Sequence, residues 1–280
     1  MSEAQNSSLT VRWRPLFLRD IEQRVEQQGL VGATHEVLQR DHVNVAIDGD
    51  RERLAAHRGG ILLVGDHKNQ WEFVAAMDTL HNIGRHDMHN VVKFYVQRQV
   101  EQLLGQAAAA HLLPVYPRVL ARDRSQKINR ELLNRIVYRN SLLSLAASEQ
   151  ANVATLSRAT GILAQNGVVN IYPCGSIVDA TKRPWRTGVG KIITGVPAAV
   201  WPDVLICPYR VPDIHRGRLV AAVALRGRGW AGRPQTLTMQ FGRVQSMAEL
   251  LEPLSSEERQ DSALITEMLR EQFIDYFADN

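Results

Sequence analysis

The chain alternates between short continuous apolar runs and longer stretches where apolar residues return every three or four positions. Residues 11–40 are of the second kind: Trp13, Leu16, Phe17, Ile21 and Val25 recur with arginines between them, which predicts a helix. Ile61-Leu-Leu-Val64 is of the first kind and stops at Gly65-Asp66-His67, the pattern of a strand buried on both faces that opens into a loop. A helix is expected over residues 70–80, a second strand over 91–96 and a helix over 97–110. Residues 113–119 read as a short strand, with helical stretches near 126–139 and 148–165. Gly167 punctuates before a third buried strand, Val168-Val-Asn-Ile-Tyr172. Val204-Leu-Ile-Cys207 is a fourth, stopped by Pro208, and 218–225 and 236–241 are further strands. A terminal helix over 256–277 opens on a serine N-cap.

Strands alternating with helices predict an α/β fold: a single domain with a largely parallel central sheet flanked by helices. Residues 1–50 are expected to form an N-terminal helical segment able to lie at a membrane interface, and 51–280 the α/β domain.

Composition narrows the class. With 280 residues, 45% hydrophobic and 22% charged, the chain is neither disordered, collagen-like nor a coiled coil. Cys174 and Cys207 are its only cysteines, which excludes a disulfide framework and a four-cysteine zinc site. The opening MSEAQNSSLTVRWRP lacks the apolar stretch of a signal peptide. The most apolar window, residues 192–209, contains Asp203, Pro197, Pro202 and Pro208, which a spanning helix does not accommodate. The expectation is a cytoplasmic protein, soluble or held at the inner face of the cell membrane.

The net charge of +4 conceals two opposed regions. From Glu249 onward nine acidic residues face only Arg259 and Arg270, a net −7, so the total of +4 leaves +11 on the remainder. Basic residues gather at Arg118, Arg122, Arg124, Lys127 and Arg130, again at Lys182, Arg183, Arg186 and Lys191, and between Arg210 and Arg233. A basic body favours phosphorylated ligands or an anionic membrane. Nucleic acid fits poorly, because there is no zinc-finger spacing, no RNP-type aromatic motif and only 6% aromatic residues.

In open α/β sheets ligands bind beyond the carboxyl ends of the strands. The two best-defined strands end in Gly65-Asp66-His67 and Tyr172-Pro173-Cys174-Gly175, so chemistry is sought there. With His67 just off its strand and Glu72 in the first turn of the next helix, the carboxylate can fold back onto the imidazole. A carboxylate on one ring nitrogen fixes the tautomer and supports the imidazolium, leaving the other nitrogen as a general base.

His67-Lys-Asn-Gln-Trp-Glu72 resembles the His-x4-Asp/Glu block of the lysophospholipid acyltransferase superfamily, the glycerolipid acyltransferases. Later blocks follow in the same order. Val115-Tyr-Pro-Arg118 resembles the arginine-bearing second block, with Leu120-Ala-Arg-Asp-Arg124 a competing match. Ile171-Tyr-Pro-Cys-Gly-Ser176 stands where the family has Phe-Pro-Glu-Gly-Thr-Arg. Arg186-Thr-Gly-Val-Gly-Lys191 resembles the Lys-x-Gly segment and Val204-Leu-Ile-Cys-Pro208 the proline-ended fourth block. The resemblance implies acyl transfer from acyl-CoA or acyl carrier protein, as co-substrate, to a hydroxyl of a lipid-type acceptor. It implies no other cofactor, no metal, and contact with a membrane surface.

Within that resemblance His67 is the base and Glu72 its partner, while Arg118, Cys174, Gly175 and Ser176 shape the substrate site, with backbone N–H groups near Gly175 and Ser176 as oxyanion donors. The third block departs from the pattern: Cys174 replaces the glutamate and Ile177 the arginine, which weighs against glycerol-3-phosphate and lysophosphatidate as acceptors. Glu72 in place of aspartate matches the related lipid A and mannoside enzymes.

Three other readings compete. Cys174 beside His67 is a Cys–His nucleophilic pair on paper, although a cysteine at a strand end is ordinarily packing. His81, His86 and His89, with Asp87 between, form a local cluster whose spacing fits a polar loop better than a metal site. A non-catalytic lipid- or acyl-binding protein on the same scaffold is the alternative from another class, and retention of both His67 and Glu72 argues against it. Serine-hydrolase, P-loop and dinucleotide motifs are lacking.

Overall fold

A computed structural model describes residues 16–40, 43–67, 72–116, 145–174, 180–212 and 235–278. Its described elements, numbered in chain order, are α1 (Leu16–Arg40), β1 (Val43–Asp48), α2 (Arg51–Ala56), β2 (Gly60–Gly65), α3 (Glu72–Asn82), β3 (His89–Lys93), α4 (Phe94–Ala110) and β4 (Leu112–Val115), followed by α5 (Leu145–Ala164), β5 (Val168–Ile171), α6 (Gly188–Gly195), β6 (Val204–Arg210), β7 (Gln235–Phe241), β8 (Gln245–Ser246), α7 (Met247–Leu251) and α8 (Ser262–Ala278). The fold is α/β. Its strands form one sheet in the order β1-β7-β6-β2-β5-β3-β4, with β8 on β6. Strands β6, β2, β5, β3 and β4 are mutually parallel, while β7 and β8 run antiparallel to β6 and β1 runs parallel to β7.

β2 occupies the centre because its sequence allows nothing else: all six residues are buried. Ile61 and Leu63 join one apolar cluster with residues of α1, α2, α3 and α4; Leu62 and Val64 join another with residues of α5, α6, α7 and α8. Period-two alternation thus divides a uniformly apolar strand between two helical layers.

Several boundaries differ from expectation. β3 ends at Lys93 because Phe94-Tyr-Val, a short apolar run that suits strand or helix equally, winds into the first turn of α4 with Phe94 buried. α1 is broken at Gly29, whose φ of 75° lies in the left-handed region that glycine enters without a Cβ clash. β6 runs through Pro208 to Arg210. The proline falls where the outer neighbour changes from β8, opposite Leu205 and Ile206, to β7, opposite Tyr209 and Arg210. Its carbonyl accepts from Gly242 N on that side, so the missing N–H removes no ladder bond.

The terminal helix begins at Ser262, where the Asp261 carboxylate caps Ala263 N and Leu264 N. The serine expected to open it precedes a separate 3-10 turn, Glu258–Gln260. β1, α2, α6 and α7 were not anticipated. The division expected at residue 50 falls just after β1, a strand of the same sheet as the rest. The expected helix near 126–139, the strand over 218–225 and the end of the strand expected over 113–119 lie outside the described residues. Among the described residues no helix is long and apolar enough to cross a membrane.

Candidate functional site

The parallel strands β2, β5 and β6 end side by side, and the candidate residues emerge there. β2 stops at Gly65 and the chain turns through Asp66 to His67. Asp66 is 2% exposed, and its carboxylate accepts from Ala180 N at 2.9 Å while Trp185 Nε1 donates to Ala180 O at 3.0 Å. Arg186 N donates to Pro173 O at 3.0 Å. These bonds secure the described chain on either side of the stretch that carries Gly175 and Ser176.

Glu72 opens α3, where the positive end of the helix dipole offsets part of the cost of burying a carboxylate. It is 1% exposed, and its Oε2 lies 3.7 Å from His67 Nδ1. That is an ion-pair separation, longer than a hydrogen bond. The structure therefore brings together the two residues the His-x4-Glu pattern singled out. His67 keeps part of its ring open, at 19% side-chain exposure, and Nδ1 is the nitrogen that meets Glu72.

A polar network that sequence reading did not assign lies behind this pair. The Tyr172 ring stacks on the His67 ring with centroids 4.3 Å apart and planes 22° apart. The Tyr209 hydroxyl lies 3.0 Å from the Tyr172 hydroxyl and 3.1 Å from Asn170 Oδ1, and Asn170 Nδ2 donates to Asn90 Oδ1 at 2.8 Å. Burial pushes both tyrosine hydroxyls well above the ordinary phenol range, and the negative charge of Glu72 adds to this. A signal for the network was present in the sequence: Asn170 interrupts an apolar run, and Tyr172 and Tyr209 each lie just past one.

Cys174 is 6% exposed and belongs to the apolar cluster on the α5–α8 side of the sheet, whereas Tyr172, which covers His67, packs against the cluster on the α1–α4 side. The two faces of the sheet thus separate the surroundings of Cys174 from those of His67. Cys207 is fully buried, and burial pushes its thiol up. Arg118, Gly175 and Ser176 lie outside the described residues. Of the downstream segment, Arg186 is exposed ahead of α6, and Lys191 lines a shallow groove with Val153, Leu156 and Thr160.

The histidine cluster is divided. His81 stacks on His35 at 3.9 Å and meets His86 edge-on at 5.1 Å, and His35 Nδ1 pairs with Asp78 Oδ1 at 2.7 Å. His89 instead faces His111 at 5.3 Å. Among the described residues no group of three or more histidine, cysteine, aspartate or glutamate side chains is arranged to hold a metal ion. No family model matches the chain, and no curated protein matches it.

Proposed function

We propose that the protein is an acyltransferase of the glycerolipid acyltransferase type, moving a fatty acyl group from acyl-CoA or acyl carrier protein to a hydroxyl of a lipid-type acceptor. The observation that carries this reading is the buried Glu72 carboxylate 3.7 Å from His67 Nδ1 at the carboxyl end of the central strand. Glu72 holds the imidazole with Nε2 toward the acceptor. His67 Nε2 takes the hydroxyl proton as the oxygen attacks the thioester carbonyl. The tetrahedral oxyanion then collapses, the carbon–sulfur bond breaks, and the thiolate recovers the proton from the imidazolium. No covalent enzyme intermediate is needed. In this reading Gly175 and Ser176 serve the oxyanion and acceptor and Arg118 contacts a polar head, while Cys174 packs in the apolar cluster of the opposite face. The basic body favours a phosphate-bearing donor and an anionic membrane surface.

The test is thiol release from acyl-CoA and from acyl carrier protein against a panel of lysolipids and glycolipid alcohols. Acceptor-dependent release that falls at least about 100-fold in His67→Ala is the expected result. Absence of turnover with every pair, from folded protein that still binds acyl chains, overturns the reading in favour of a binding protein.

A further inference from the structure

We infer that Tyr172 is a positioning residue whose ring face holds the His67 imidazole beside Glu72 and stabilises the imidazolium that forms on proton uptake. The inference rests on His67 being the base proposed above. A cation within about 6 Å of an aromatic centroid is attracted to the ring face, and the imidazole centroid lies 4.3 Å from that of Tyr172. Glu72 approaches from α3 and Tyr172 lies against the ring, so the histidine is held between a carboxylate and an electron-rich face.

Two features adapt Tyr172 to this role. Gly65 lies beside it, and a Cβ there would lie 2.6 Å from the Tyr172 ring and 2.7 Å from the Tyr209 ring, so only glycine admits both tyrosines at the end of β2. The Tyr172 hydroxyl is tethered to Tyr209, 3.0 Å away, which reaches the buried Asn170–Asn90 pair. Tyr209 and Asn170 are both 0% exposed, so the tether is anchored in the sheet itself. Among the described residues the charged and titratable groups around His67 are Glu72 on α3, Asp66 before it in the chain, Tyr172 after β5 and Tyr209 on β6. Asp66 is occupied by Ala180 N, and the tyrosines stay neutral, so the phenol ring keeps the negative face that a cation seeks.

The test follows the His67 imidazole signal by NMR across a pH titration of the full chain, identified by its loss in His67→Gln. Tyr172→Leu removes the ring, Tyr172→Phe keeps it without the hydroxyl, and trifluorophenylalanine at 172 keeps its shape while draining the negative face. The expected result is a titration displaced to lower pH by about half a unit in Tyr172→Leu and similarly on fluorination, with Tyr172→Phe close to wild type. A purely space-filling Tyr172 would leave the fluorinated and Phe forms titrating together, and that result overturns the inference even if Tyr172→Leu fails to fold. The readout needs no turnover: displacement without thioester consumption defeats the proposed function alone, and transfer with no displacement defeats this inference alone.

Discussion

The two faces of the central sheet are built on different terms. On the α5–α8 face, Leu62, Val64, Val169, Ile171 and Ile206 meet Ile192, Ile193, Leu269 and Phe273 in a cluster of apolar side chains. On the α1–α4 face β3, β5 and β6 carry Asn90, Asn170 and Tyr209, and α3 adds Glu72 and Asp78, all buried. Burying polar groups costs free energy unless each is paired, whereas apolar burial contributes about 25 cal/mol per Å². Both faces bury an apolar cluster, and the α1–α4 face stores in addition an arrangement of polar groups whose value is chemical. The pair proposed to act on substrate grows out of that arrangement.

Substitutions on the two faces should separate these roles. Phe273→Ala, in the apolar cluster, is expected to lower unfolding free energy by about 3–5 kcal/mol in urea titration, with the catalytic rate of the folded fraction unchanged. A fall in rate per folded molecule would break the comparison. Glu72→Gln is expected to do the reverse. Transfer should fall about 100-fold, because an amide does not stabilise the imidazolium. Stability should hold or rise, since a neutral side chain is cheaper to bury at 1% exposure. Thermal unfolding beside single-turnover acyl transfer checks both halves.

Legibility from sequence followed the same division. The apolar run of β2 showed its burial on both faces, and the turn at its end placed His67 and Glu72 together, because a four-residue gap between a strand end and a helix start leaves few alternatives. The network behind them was harder to see. Tyr209 sits far from Asn170 and Tyr172 in the chain and becomes their neighbour only through the pairing of β5 and β6 on either side of β2. Helix α6, with its three glycines, Gly188, Gly190 and Gly195, carries weak helical propensity. It forms because a Cβ on Gly190 would meet the Ser262 carbonyl at 1.9 Å, so α8 can approach only a glycine there. Such tertiary causes leave no periodic trace. Pro208 misled for a related reason, since its tolerance depends on which strand lies beside it.

A smaller effect is expected at the junction that starts α7. Ser246 Oγ accepts from Glu249 N at 3.1 Å while the Glu249 carboxylate returns to Ser246 N, a capping box, and Arg53 donates to the same carboxylate at 2.6 Å. The backbone bond to Ser246, followed by the bonds from Arg53 and the Ser246 hydroxyl, holds Glu249 below the usual carboxylate range. Ser246→Ala should cost about 1 kcal/mol in unfolding free energy and nothing in rate.

The smallest effect concerns pH, and it tests whether stability and chemistry titrate apart. His89 opens β3 and His111 precedes β4, so both lie at the amino ends of the strands, away from His67. Burial is the first cause that holds each imidazole below its ordinary range, and for His89 the neighbouring ring of His111, 5.3 Å away, adds to it. His57 and His81 are lowered by burial in the same direction. Below about pH 6.5 the unfolded chain therefore binds protons that the folded chain refuses, so stability is full above that pH and declines as pH falls through it. His111→Phe removes one such group and should make the decline in melting temperature between about pH 7 and 5.5 shallower. The pH–rate profile, governed by the other end of the sheet, should be unchanged; a variant that flattened both would mean that the two ends are coupled through β3 and the Asn90–Asn170 bond.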